Sequence, residues 1–252
     1  MIVCYVINIS QDCCKIIQGM VLENNGGTIM KLKVIGVGTF GTKLAAGIAS
    51  ENIPNVSCAA IDTDGYVIEN SELEDVLLIG NSGLGTGGQV SVGKEAAEAA
   101  TTEIEKMISD ADVILLTAGM GGGTGSGTSP IIARIAHEKG IIVYAAVTHV
   151  FDFEGPYMTE FSIEGIKELA KYVDSVLVAE VKEHKKSHKP ELFGIQFSKS
   201  DIKEVNGSIS IKDLNNLIFE DISDFIKTAA DSKSKEELRN AENTFIGYTF
   251  SK

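Results

Sequence analysis

The sequence predicts an α/β fold, a doubly wound and mainly parallel six-stranded sheet followed by C-terminal helices, and three observations carry that prediction. From Lys31 onward, short apolar runs alternate with amphipathic stretches, the pattern of a parallel sheet covered by helices. Glycine-rich segments follow several of those runs, where a strand turns into a helix. At 252 residues the chain is long enough to bury the core such a sheet needs.

The elements follow in order. Residues 1–30 have neither the basic start nor the small-residue cleavage site of a signal peptide, and they read as a leader outside the domain, with Met30 an alternative start. Strands are expected at "LKVIGV", "VSCAAID", "DVLLI", "DVILLTA", "IIVYAAVT" and "SVLVAE". Helices are expected at about Thr39 to Ser50, Val90 to Ile108, Pro130 to Lys139 and Tyr157 to Tyr172, the last with Ile163, Ile166, Leu169 and Ala170 on one stripe. This places the domain at residues 31–180. After Glu180 comes the polar loop "VKEHKKSHKPELFG", and the rest of 181–252 reads as helix without strands. Ile211, Leu214, Ile218, Ile222 and Phe225 fall at helical spacing behind a Ser210 cap.

A formal net charge of -13 argues against a nucleic-acid or anionic-membrane surface and favours small ligands or protein partners. The one basic knot, His184 to Lys189, reads as a solvated loop. No apolar run reaches the roughly twenty residues that span a bilayer, and a cytoplasmic protein is expected. The four cysteines, Cys4, Cys13, Cys14 and Cys58, lack zinc-ligand spacing, and Cys58 reads as a buried thiol. The four histidines form no visible triad or metal pair.

Three glycine-rich loops carry the chemistry. Gly36-Val37-Gly38-Thr39-Phe40-Gly41 follows a strand, opens a helix, and is followed by Asp62 and Asp64 at the end of the next strand, as in a dinucleotide fingerprint. Taken alone it suggests a nicotinamide oxidoreductase, but that reading leaves "GGGTGSG" unexplained. In "NSGLGTGGQVSVGKEAA", Gly88 to Lys94 matches a P-loop until Glu95 takes the place of the magnesium-binding hydroxyl, so the match is a decoy. In "AGMGGGTGSGTSP", backbone N–H groups at a helix start form an anion cradle that any β-carbon would crowd, with Thr124 and Ser126 adding hydroxyls. The first and third loops follow strands one and four, which are neighbours at the switch point of the common doubly wound order. One phosphate-bearing nucleotide held by both is the economical expectation.

At this point "GMGGGTGSGTSPIIA" resembles the signature of the tubulin and FtsZ family. The resemblance extends through "KVIGVGTFGTKLA", "AAIDTD", "GLGTGGQVSVGKEAA" and "VTHVFDFEG", from about Lys31 to Tyr172. It implies a Rossmann-like domain of the tubulin nucleotide-binding type, with GTP or GDP and Mg2+ at the switch point. It also implies partners in head-to-tail filaments, either the chain itself or a full-length member of the family. By the resemblance, Gly121, Gly122, Gly123, Thr124, Gly125 and Ser126 hold the phosphates with Gly36, Gly38, Thr39 and Gly41. Gly85, Thr86, Gly87 and Gly88 sense the terminal phosphate, Asp64 sits near magnesium, and Glu154 lies near the ribose.

The base side departs from the family pattern. Lys43 stands for an asparagine, Met158 for an arginine, and Glu180 and Val181 for a proline-asparagine pair. Asp201 is the candidate guanine-reading aspartate, with Phe193 or Phe197 as the stacking aromatic. Losing a partner for a buried base edge costs about 1 to 3 kcal/mol, enough to relax guanine selectivity.

Family members hydrolyse GTP with acids from a loop of the next subunit, resembling N-x-D-F-A-D. The match here is Asn216-Leu217-Ile218-Phe219-Glu220-Asp221, which keeps Asp221 as the catalytic residue in trans and puts Ile218 where the first acid belongs. Losing one such group costs about 100-fold to 10,000-fold in rate, so slow or absent hydrolysis is expected. With 31 residues after Asp221, no complete second domain is expected. The two readings left open are a filament-forming GTPase and a non-hydrolysing nucleotide module that caps or modulates filaments of a complete relative.

Overall fold

The structure, a computed structural model, describes residues 31–50, 52, 56–150, 154–182, 199–206 and 244–251. Strand β1 (Leu32–Val37) leads into helix α1 (Gly38–Ala49), then β2 (Val56–Asp62), the short α2 (Gly65–Glu69) and β3 (Asp75–Leu78). Helices α3 (Val90–Ala99) and α4 (Thr101–Met107) precede β4 (Val113–Gly119), α5 (Gly123–Glu138) and β5 (Ile142–Thr148). Helix α6 (Pro156–Leu169), β6 (Ser175–Lys182), β7 (Lys199–Asn206) and β8 (Thr244–Ser251) complete the order.

All pairings are parallel, in the order β3-β2-β1-β4-β5-β6-β8-β7. The doubly wound class and the six expected strands are as the sequence predicts. β1 is buried along its whole length and β4 and β5 at all but their last residue, because helices cover both sheet faces and leave no polar side to alternate with. Ile35, Ile61, Ile114 and Leu116 from the strands meet Ile104, Ile108, Ile132, Ile166 and Leu169 from the helices in one core.

Four differences have physical reasons. The expected helix over Val90 to Ile108 is two helices, broken at Ala100, whose backbone (φ -96, ψ 20) leaves the helical range. Helix α5 starts at Gly123 rather than Pro130, so most of the presumed glycine loop is helical. Pro130 lies inside the helix, whereas a proline is easiest to accommodate at its first position, which is what the sequence suggested. The five-residue α2 arises because Asp64 Oδ1 accepts the Tyr66 N–H at 2.9 Å, an N-cap that no apolar periodicity announces.

Last, β7 and β8 extend the sheet where helix without strands was expected. "TFIGYTFS" is rich in the β-branched and aromatic residues that strands favour. The helical pattern between Ile211 and Phe225, and Asp221 with it, lies outside the described residues, as do residues 1–30.

At the amino ends of the strands, Lys33 is buried. Its Nζ donates to the Met107 carbonyl at 2.5 Å and pairs with Asp75 at 3.1 Å and Asp110 at 3.3 Å, tying β1 to β3 and to the end of α4. Among the described residues no helix is long and apolar enough to cross a membrane.

Candidate functional site

The carboxyl ends of β1, β2 and β4 lie side by side, so the segments leaving them converge. From β1 comes Gly38 at the start of α1, with φ +72; a β-carbon there would point at Thr124 and at the Gly125 N–H from 3.6 to 3.8 Å. The first and third loops therefore touch. Gly36 and Gly41 serve packing instead: an added β-carbon would stand 2.2 Å from the Gly41 oxygen in the first case and 2.1 Å from the Thr117 oxygen in the second. Thr39 is exposed at the mouth.

The glycine knot has two uses, only one of which the sequence reading anticipated. Gly125 would drive a β-carbon to 2.1 Å from the Gly119 oxygen, and Gly123 to 2.2 Å from Thr86 Oγ1, so these glycines admit β4 and the second loop against α5. Gly122, by contrast, faces open space with nothing within 4 Å of an added β-carbon. Gly121 turns the chain at φ +112, its N–H bonded to Ser126 Oγ at 2.7 Å. Ser126 Oγ thereby accepts a bond that shapes the turn, which leaves its own proton to donate. The first-turn N–H groups of α5 have no intrahelical acceptors, and a helix start of this kind is an anion site.

The second loop is sewn to the β2–α2 turn: Gly65 N–H donates to the Gly83 oxygen at 2.9 Å and Gly85 N–H to the Thr63 oxygen at 3.0 Å. Thr86 is buried on the first residue of α5, while Gly85, Gly87 and Gly88 hold positive φ and the latter two face open space. Lys94 is exposed on α3 beside Glu98, far from a P-loop lysine's role, which agrees with treating that match as a decoy.

At the end of β2, Asp62 is 1% exposed; its Oδ1 accepts the Thr63 N–H at 2.7 Å and the Asp64 N–H at 3.2 Å, while its Oδ2 has no hydrogen-bond partner. Burial pushes its carboxyl above the usual carboxylate range, against the two backbone bonds and the nearby Thr124 hydroxyl. Thr63 Oγ1 and Thr124 Oγ1 are 2.7 Å apart. The sequence marked Asp62 only as the acid of a dinucleotide fingerprint and did not single out Thr63; the signal was their position at the carboxyl end of β2, the strand beside β1.

The donor set fits the groups the sequence suggested. Free helix N–H groups, hydroxyls and an open face at Gly122 suit a phosphate chain. No three His, Cys, Asp or Glu cluster among the described residues, so a hard cation near Asp62 and Asp64 would draw further ligands from water or phosphate, as Mg2+ does.

The other predicted residues are placed as follows. Glu154 lies half-buried between β5 and α6, just before Gly155. Lys43 is exposed on α1, and the Met158 backbone packs beside Gly121. Asp201 sits on β7, the outermost strand, four strand spacings or about 19 Å from β4. Asp221, Phe193 and Phe197 lie outside the described residues. His149, at the end of β5, is buried with Nδ1 2.5 Å from Ser162 Oγ, a structural role.

The family model for the Tubulin/FtsZ family, GTPase domain, matches residues 31–186. The cell division protein FtsZ of Coxiella burnetii is 42% identical over 150 residues, covering 58% of this chain and 39% of that protein. FtsZ of Buchnera aphidicola is 39% identical over 160 residues, covering 62% and 41%. The chain thus spans about two fifths of the length of these relatives. Among solved structures, an FtsZ dimer from M. jannaschii superposes with a TM-score of 0.67 at 26% identity, covering 88% of this chain and 64% of that one. The GTPgS-bound protofilament of CetZ2 from Haloferax volcanii gives 0.64 at 23% identity, covering 85% and 64%, a likeness of fold.

Proposed function

The chain belongs to the Tubulin/FtsZ family, and from that premise we propose that it is an FtsZ-like GTP-binding protein of the cytoplasm. In this reading GTP hydrolysis is coupled to head-to-tail filament assembly, in cell division or a related cytoskeletal role. The observation that carries it is the meeting of three loops at the β1–β4 switch point, where Gly38 faces Thr124 and Thr86 faces Gly123. The first turn of α5 takes the phosphates with Gly38 and Thr39. Gly85, Thr86, Gly87 and Gly88 lie toward the terminal phosphate, and Glu154 toward the ribose. Asp64 holds Mg2+, whose chemistry is to neutralise the phosphate oxygens.

A second subunit supplies Asp221 to orient water. Ile218, three positions earlier in the sequence, favours a second reading, because isoleucine can neither polarise water nor hold an ion. In that reading the chain holds nucleotide without turning it over and acts on filaments of a complete relative.

Phosphate release from GTP, measured against protein concentration for the chain and for Asp221→Ala, tests both. A rate per molecule that rises with concentration and falls in the variant supports the GTPase. GTP binding without turnover supports the holding module, and absence of GTP binding by the folded chain overturns both.

A further inference from the structure

Thr63 and Thr124 share one hydrogen bond between hydroxyls, and each hydroxyl has one proton to give. Whichever donates within the pair leaves the other's proton for a third group. The two residues differ in what they can reach. Thr63 is 3% exposed and fixed on both sides by its main chain, its N–H on Asp62 Oδ1 and its carbonyl oxygen on the Gly85 N–H. Thr124 is half-buried, in the first turn of α5 and against Gly38. Thr124 is thus the more exposed of the two.

We propose that Thr63 is a positioning residue of the phosphate site: it donates its hydroxyl proton to Thr124 Oγ1 and so leaves the Thr124 proton for a phosphate oxygen of the bound nucleotide. This rests on the nucleotide reading of the cradle given above. Thr63 touches no ligand atom in this role; it sets the rotor of a side chain that does. The clamp on its own backbone gives the device its precision, since the Asp62 carboxylate and the Gly85 N–H hold the Thr63 main chain while its hydroxyl faces α5. The Asp62 carboxyl lies near enough to the Thr124 hydroxyl to attract its proton, so in the nucleotide-free protein Asp62 and in the bound one a phosphate oxygen would take it. The Thr63 bond occupies one acceptor position of Thr124 Oγ1 and so limits the directions in which the Thr124 proton can turn.

The test is a double-mutant cycle on GTP affinity, measured by calorimetry on the full chain. The variants are Thr63→Val, Thr124→Val, the pair together, and Thr63→Ser. Valine keeps the shape of threonine and removes the hydroxyl. We expect Thr63→Val to weaken GTP binding about tenfold, the scale of one hydrogen bond to a charged group. Thr63→Ser should stay within about twofold of the parent, and Thr63→Val should cost nothing further once Thr124 is valine.

Equal losses from Thr63→Val in both backgrounds would overturn the proposal, because damage to the fold acts regardless of Thr124. So would a Thr63→Ser variant as weak as Thr63→Val. A folded parent that takes up no GTP removes the nucleotide reading itself, and Thr63's role with it. A parent that binds GTP with an additive cycle removes Thr63's role alone.

Discussion

A β-carbon placed on Gly125 would stand 2.1 Å from the carbonyl oxygen of Gly119, so the first turn of α5 lies in backbone contact with the end of β4. The contact is to main chain, which cannot step aside as a flexible side chain can. Gly125→Ala is therefore expected to destabilise the protein by about 3 kcal/mol or more, the upper end for overpacking. Gly122→Ala, at φ -78 and ψ 158 and in open space, is expected to fold within about 0.5 kcal/mol of the parent. Its methyl group enters the face assigned to phosphate, so GTP affinity should drop while the melting curve holds. Chemical denaturation and GTP titration of the two variants check the contrast.

Lys33 offers a second test, at the opposite end of the strands. Its ammonium group is buried, but both carboxylate partners remain accessible to water, with side-chain exposures of 46% for Asp75 and 61% for Asp110. Removing the lysine leaves acids that water can solvate, together with the Met107 carbonyl and a vacated stem. Lys33→Ala is expected to cost about 2 to 3 kcal/mol, and Lys33→Met about 1 kcal/mol less because it keeps the apolar stem. Urea denaturation gives both values, and equal losses would show that the charge alone matters.

Asp62 carries a pH signature. Its folded carboxyl titrates above the unfolded one because burial disfavours the anion. A group with a raised folded pKa contributes stability below the unfolded pKa and loses it as pH rises through the folded one. Ionising Asp62 thus costs the nucleotide-free fold stability. Asp62→Asn keeps an oxygen for the Thr63 and Asp64 N–H groups, so it should raise the melting temperature at pH 7 relative to the parent. That advantage should shrink towards pH 4, and an advantage independent of pH would contradict the assignment.

Cys58, on β2, has its thiol pushed up to about 12 by burial. Thiolate is the reactive form, so alkylation of Cys58 near pH 8 should run on the order of 1,000-fold slower than that of a free cysteine. Peptide mapping after timed iodoacetamide treatment measures this, and urea should restore the rate.

The sequence by itself determined six strands of the sheet and marked the glycine-rich segments that leave them. Buried parallel strands leave uninterrupted apolar runs, and these were legible at Leu32, Val56, Asp75, Val113, Ile142 and Ser175 within a residue or so. A helix start stripped of β-carbons is also written in the chain, which is why Gly121 to Ser126 stood out. Only tertiary structure decided what each glycine is for. Gly123 and Gly125 answer to Thr86 and Gly119, residues distant in sequence, and no local pattern separates them from Gly122.

The same holds for Asp62, Thr63 and Lys33, whose roles come from partners on other elements. Asp201 makes a related point: its strand joins the sheet through β8, so its distance from the switch point depends on a strand order that spacing along the chain does not encode. Local periodicity reports which face of an element is buried. Which elements meet, and therefore which polar atoms find partners, is settled only when the sheet is assembled.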